Sequence, residues 1–130
     1  MSPARYLPSL AALSAVTAIA VGAAAVHGVT DPQAKAWLQT GVQFQLPHAV
    51  AVFALLGWRD TPAVRGGAWG LLIGSLIFAA TLDGLALGAP RWFGAITPIG
   101  GSAMLLGWLW LALAPFVPSS GTRGRGGPSS

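Results

Sequence analysis

The sequence predicts an all-α integral membrane protein, a four-transmembrane-helix bundle with its N and C termini cytoplasmic. Three observations carry that prediction. Of the 130 residues, 54% are hydrophobic and only 8% charged, where soluble domains carry about 25%. The charges are also spaced out: none lies between Arg5 and Asp31, between Lys35 and Arg59, or between Arg91 and Arg123, and Asp83 alone interrupts the window from Arg65 to Arg91. Each window accommodates the roughly 20 apolar residues that a helix needs to cross a bilayer core. Runs such as LLIGSLIFAATL (71–82) show no period-two alternation, so the backbone must satisfy its hydrogen bonds within helices and not in a closed barrel.

The first span, near 7–29, follows Arg5 and lines up Ala11, Ala15, Ala18, Gly22 and Ala25. With Ala23-x-Ala25 it imitates a secretory signal and its cleavage site, but its apolar run exceeds the usual ~7–15 residues, so it is expected to be retained. The second span, near 37–58, starts at Trp37 and contains Pro47, which withdraws the N–H that the Gln43 carbonyl would accept and predicts a kink. In the third span, near 67–88, Gly67, Gly70, Gly74, Ile77, Thr81, Gly84 and Gly88 recur at steps of three and four. They share one face and include two GxxxG pairs, Gly70/Gly74 and Gly84/Gly88. The fourth span, near 97–117, is expected to start with Thr97 as cap and Pro98 in the first helical position, which leaves 89–96 as an interfacial loop. Its small face is Gly100, Ala103, Gly107 and Ala114.

Lipid removes the hydrophobic drive between helices, so these small faces are read as packing seams within one bundle. The same GxxxG pairs also suit a homo-oligomer or contact with a membrane-protein partner. Spans and short loops consume residues 1–117 as one domain, with no room for a soluble catalytic domain. The remaining 118–130, PSSGTRGRGGPSS, is expected to be a disordered Gly/Ser/Pro/Arg tail.

The net charge of +4 comes from basic residues scattered singly at the ends of the spans, the pattern of topology determinants and not of nucleic-acid binding. Arg5, Arg59, Arg65, Arg123 and Arg125 fall on one side, Lys35 and Arg91 on the other, which places both termini in the cytoplasm of a multi-pass protein of the cell (inner) membrane. There is no cysteine, which excludes disulfides, thiolate metal sites and Cys nucleophiles.

Polar residues inside the spans are the candidates for function. In QFQLPH (43–48), His48 lies eleven residues beyond Trp37, about 16 Å in, and Gly41, Gln45 and His48 follow steps of four and three. His27, Asp83 and Thr97 are expected at the same depth or just outward of it, so that His27, Gln45, His48, Asp83 and Thr97 form one intramembrane polar cluster. Ser75, Ala79 and Asp83 define a second face of the third span, separate from its glycine seam. An intramembrane carboxylate calls for a partner or water, since insertion scales put its cost at about 2.5–3.5 kcal/mol at the helix centre. Three uses are open to the cluster: hydrogen bonds that fix the register of the helices, a proton or small-solute site, or a two-histidine, one-carboxylate metal centre, which no local ligand spacing supports. No Ser/His/Asp hydrolase signature, phosphate-cradling loop or HExxH sequence occurs, so no catalytic residue and no cofactor are expected.

Four motifs in order resemble a known family. WLQTGVQFQLPH (37–48) resembles W-x-x-T-G-x-x-[FY]-Q-x-x-H of the domain of unknown function 423 family, small membrane proteins that include bacterial YgdD and are similar to vertebrate transmembrane protein 256. VGAAAVHGV (21–29) is similar to that family's LGAFGAH segment, FAATLDGLALG (78–88) to FSGSLYxLAL, and ITPIGGSAMLLGW (96–108) to TPxGG…GW. The resemblance implies a four-span fold of unassigned molecular function, with motif positions at Gly22, His27, Trp37, Thr40, Gly41, Gln45, His48, Thr97, Pro98, Gly100 and Gly101. This chain departs from it with Ala24 and Ala25 for Phe-Gly, Pro47 for an aromatic residue, and Asp83 for a tyrosine.

The reading that follows is a non-enzymatic structural or accessory component of the membrane. The alternative is a channel- or transporter-like protein that passes protons or a small solute along the polar cluster.

Overall fold

The computed structural model describes residues 5–118. It contains α1 (Tyr6–His27), α2 (Pro32–Trp58), α3 (Pro62–Ala86) and α4 (Phe93–Leu113), followed by a 3₁₀ turn over Ala114–Phe116, and no strand among the described residues. At 1.5 Å per residue the helices run from about 32 to about 40 Å, enough to cross a hydrocarbon core of about 30 Å. All four are apolar enough to do so. The tail beyond 118 lies outside the described residues.

Two helices begin earlier than hydropathy alone suggests, because two Pro-based caps precede the apolar runs. Asp31 accepts a hydrogen bond from the Ala34 N–H at 2.8 Å with Pro32 next in the chain, and Thr61 accepts from the Val64 N–H at 3.3 Å ahead of Pro62. Each side chain satisfies an orphan donor of the first turn, and each proline occupies a position where its missing N–H costs nothing. In the turn between α2 and α3, Arg65 donates to the Asp60 carboxylate and holds its pKa below the usual value. The pair is exposed and adds little stability.

The start of α4 corrects the reading of Thr97 and Pro98. Bonds from Phe93 N–H to Pro90 O, Gly94 N–H to Arg91 O and Ala95 N–H to Trp92 O already wind the chain, and α4 begins at Phe93. Thr97 is therefore not a cap, and Pro98 sits inside the helix, where the Gly94 carbonyl loses its usual donor. The end of α3 corrects a second reading. The helix stops at Ala86 and Gly88 adopts φ 93° with open space around it, while Gly84 faces the ring of Phe93 at 3.5 Å. Gly84 thus packs against the first residue of α4 while Gly88 ends α3 in open space, and the two do not act as a packing pair.

Helices adjacent in sequence pack against each other, and α3 is the centre, with α2 and α4 both laid along it. Leu7 and Ala11 of α1, Val52 and Leu55 of α2, Val64, Ala68, Leu71 and Leu72 of α3, and Leu111 of α4 meet at the end of the bundle where α1 begins and α4 ends. On α1 the buried positions Leu7, Ala11, Ser14, Ala18 and Ala25 form one stripe against α2. The outward residues Leu10, Leu13, Val16 and Ile19 on α1, and Leu105, Leu106, Leu109 and Leu113 on α4, are equally apolar and exposed. Helices apolar all round, exposed on the outside, belong in lipid.

The α3–α4 seam is the tightest contact. A Cβ at Gly100 would lie 2.6 Å from the carbonyl oxygen of Gly74 and from the backbone nitrogen of Phe78; one at Gly74 would lie 2.8 Å from the Gly100 carbonyl oxygen. Gly107 faces Leu71 in the same way, a Cβ at Gly70 would lie 3.7 Å from the Gly107 Cα, and Gly67 accommodates the Leu111 side chain. The Gly70/Gly74 pair is thus used within the chain, where small residues let backbones approach and dispersion replaces the missing hydrophobic drive. Gly22 against Val42, Gly41 against Ala79, and Gly101 against Phe78 are ordinary contacts at 3.4 Å or more.

Gly100→Ala is expected to destabilise the bundle by about 1–3 kcal/mol, the usual result of overpacking. Gly57→Ala, with nothing within 4 Å of the added methyl, is expected to be neutral or to stabilise by up to about 1 kcal/mol through helix propensity. Reversible unfolding in mixed micelles measures both, and equal effects at the two sites would refute the seam.

Candidate functional site

The polar residues do not converge into one cluster; Gln45, His48 and Thr97 each serve a different helix pair. Gln45, 4% exposed, points from α2 into α1, where its amide Nε2 donates to the Ser14 carbonyl oxygen at 3.0 Å and to the hydroxyls of Ser14 at 3.2 Å and Thr17 at 2.7 Å. Two N–H groups shared among three acceptors leave that amide nitrogen fully used. Ser14 lies on the stripe that α1 buries and Thr17, one turn on, at its exposed edge, a signal hidden among alanines.

His48 turns the other way. Its Nδ1 lies 2.6 Å from the Phe44 carbonyl oxygen, one helical turn back, and its Nε2 lies 3.1 Å from the indole Nε1 of Trp108 on α4. The carbonyl only accepts and the indole only donates, so the ring is the neutral Nδ1–H tautomer: it donates to Phe44 and accepts from Trp108. Pro47 immediately precedes it, where the helix lacks one backbone donor. Because α2 starts at Pro32, its midpoint falls near Gln45, and His48 lies about 4.5 Å beyond it toward Trp58.

Thr97 bridges α4 to α3. Its Oγ1 is 2.8 Å from that of Thr81, and each hydroxyl also reaches a carbonyl of its own helix, Thr97 to Phe93 and Thr81 to Ile77 and Phe78. Thr81, read from the sequence as part of the glycine face, is the partner that the sequence does not identify. Asp83 stands at the α2–α3 boundary beside Gly41, where a Cβ would lie 3.4 Å from its Oδ1. That oxygen is buried with no hydrogen-bond partner among the described residues. His27 is the exposed last residue of α1, ten residues or about 15 Å along that helix from Thr17. Among the described residues no three His or Asp side chains come together.

A groove of about 360 Å³ lies between α2 and α4 over α3, lined by Phe44, His48, Phe78, Gly101, Met104, Leu105 and Trp108. Phe44 and Phe78 pack at 4.8 Å between ring centroids, tilted by 58°, and the His48 and Trp108 rings lie 6.0 Å apart. His48 is the one member of the predicted cluster that reaches it.

A family model described as "Protein of unknown function (DUF423)" matches residues 21–101. A UPF0382 membrane protein of Haemophilus influenzae is 39% identical over 121 residues, covering 89% of this chain and 97% of the relative. One from Staphylococcus epidermidis is 34% identical over 110 residues, covering 81% and 90%. The UPF0382 inner membrane protein YgdD of Escherichia coli is 29% identical over 110 residues, covering 80% and 84%. No solved structure matches the chain.

Separate bridges have a measurable signature. Interhelical hydrogen bonds in membranes average about 0.6 kcal/mol and reach about 1.7, so Gln45→Leu and Thr81→Val are each expected to lower unfolding stability by about that much. As sites without shared partners they should add to within about 0.5 kcal/mol. Thr81→Val with Thr97→Val, which remove the same bond, should fall short of additivity. Strong coupling between Gln45 and Thr81 would instead indicate one connected network.

Proposed function

The chain belongs to the DUF423 family of membrane proteins, and on that premise we propose that it is a small structural or accessory component of the membrane that acts through its lipid-embedded faces and not by passing a solute. It lies in the inner membrane with both termini cytoplasmic. The end of the bundle that carries Arg5, Arg59 and Arg65 faces the cytoplasm, and the end that carries Lys35 and Arg91 faces outward, in line with the preference of basic residues for the inner side.

The observation that carries the reading is the pairwise commitment of the polar side chains. Gln45 serves the α1–α2 seam, His48 the α2–α4 approach, and Thr97 the α3–α4 seam. A conduction path needs polar groups or water in a continuous file through the hydrocarbon depth; here the bridges diverge to different seams and the groove beside them is apolar. Such bonds fix the register of helices that lipid itself does not drive together. The outer faces of α1 and α4 remain for contact with lipid or with another membrane protein.

Two measurements test this together. The protein reconstituted in liposomes should dissipate an imposed pH gradient no faster than protein-free vesicles, and the tagged protein solubilised in mild detergent should bring down a membrane protein in comparable amount. A protein-dependent proton flux abolished by His48→Ala, from a protein that purifies alone, would replace the accessory role with transport.

A further inference from the structure

Although α2 and α4 both pack along α3, they have no extensive packing of their own. Their mid-sections are joined by the bond from the Trp108 indole N–H to His48 Nε2, and near the cytoplasmic end Arg59 reaches the Pro115 carbonyl at 3.5 Å. The first of these bonds exists in only one charge state. With Nδ1–H given to the Phe44 carbonyl, Nε2 offers its lone pair to an indole that can only donate. A proton added at Nε2 sets donor against donor and leaves the indole without its acceptor.

Nothing packed around His48 compensates. The groove residues Phe44, Phe78, Gly101, Met104 and Leu105 carry no titratable group. Around them, α4 carries no charged residue at all; α3 carries Arg65, engaged by Asp60, and Asp83, beside Gly41 two turns or about 10 Å along α2. The other titratable groups within the helices are Lys35 near the start of α2, and Tyr6 and His27 at the two ends of α1; Arg5, Asp31, Arg59 and Arg91 stand in the caps and turns at the helix ends, while the residues that α1 offers to α2 at this depth are Ser14 and Thr17.

We propose that the His48–Trp108 bond is a proton-sensitive latch between α2 and α4: it holds while His48 is neutral, and protonation releases Trp108 and widens the groove toward the bilayer. Histidine is suited to the role because its charge ordinarily changes between about pH 5 and 8. The sign follows from the bond. The latch contributes while Nε2 is an acceptor, and that contribution is lost when Nε2 takes up a proton. The groove is already open to lipid and Trp108 is 45% exposed, so the indole can swing outward without dismantling the α3–α4 seam.

The test follows the six indole N–H resonances of the ¹⁵N-labelled protein in micelles from pH 8 to pH 4, with Trp108 assigned by its loss in Trp108→Phe and helicity monitored throughout by circular dichroism. As the chain has no cysteine, spin labels on Val50→Cys and Leu106→Cys, both exposed, report the α2–α4 distance in parallel. The Trp108 resonance is expected to move upfield in one step and the label distance to lengthen over the same interval, at constant helicity. Both changes should vanish in His48→Gln, whose amide oxygen still accepts from Trp108 but does not titrate, and should persist in His27→Gln. A Trp108 resonance unmoved down to pH 4, a step that survives in His48→Gln, or a step with no change in distance would each overturn the latch.

Discussion

Everything α4 does depends on how closely its backbone approaches α3. At Gly74 and Gly100 the two chains come so near that neither position has room for a methyl group, and Gly107 against Leu71 continues the contact. In lipid the tails solvate apolar side chains as well as other helices do, so such proximity is what dispersion and short-range contacts require. Once those glycines set the depth and rotation of α4, two other contacts follow. Thr97 comes opposite Thr81, and Trp108, two turns beyond Gly100, comes within reach of α2.

The polar side chains act after that approach and are weaker than it. Each makes one or a few hydrogen bonds across one seam, worth little individually because an unassembled helix in the membrane also finds partners. Their value lies in discrimination: a helix rotated or shifted by a residue leaves Gln45 or His48 buried without a partner, which costs more than the bond itself contributes. Asp83 is the exception, a carboxylate with one buried oxygen unpaired among the described residues, placed against the glycine of α2 near the C-terminal end of α3, where the penalty for charge is smaller than at the centre.

The membrane class, the number of spans and the family motifs were legible because they rest on long windows of hydropathy and on ordered strings of residues. Gly74, Gly100 and Gly107 could be assigned to packing since helical phase alone puts them on single faces. Boundaries were less legible, for a specific reason. Pro after Thr or Asp is a sound cap signal, yet it operates at Asp31–Pro32 and Thr61–Pro62, where an extended residue precedes the proline, and not at Thr97–Pro98, where Pro90–Trp92 has already started the turn. The signal is the same in all three places, and only the preceding backbone tells them apart.

The sequence by itself determined that this chain lives in lipid, crosses it four times and buries small residues between helices, since composition and period depend on the solvent and on 3.6 residues per turn. The tertiary structure alone decided where the polar groups point. Depth along a span placed Gln45, His48, Asp83 and Thr97 near one another in height, but rotation about each helix axis distributed them to α1, α4, α2 and α3 respectively. That rotation is set jointly by every helix packed against α3, a property of the assembled bundle that no single span encodes.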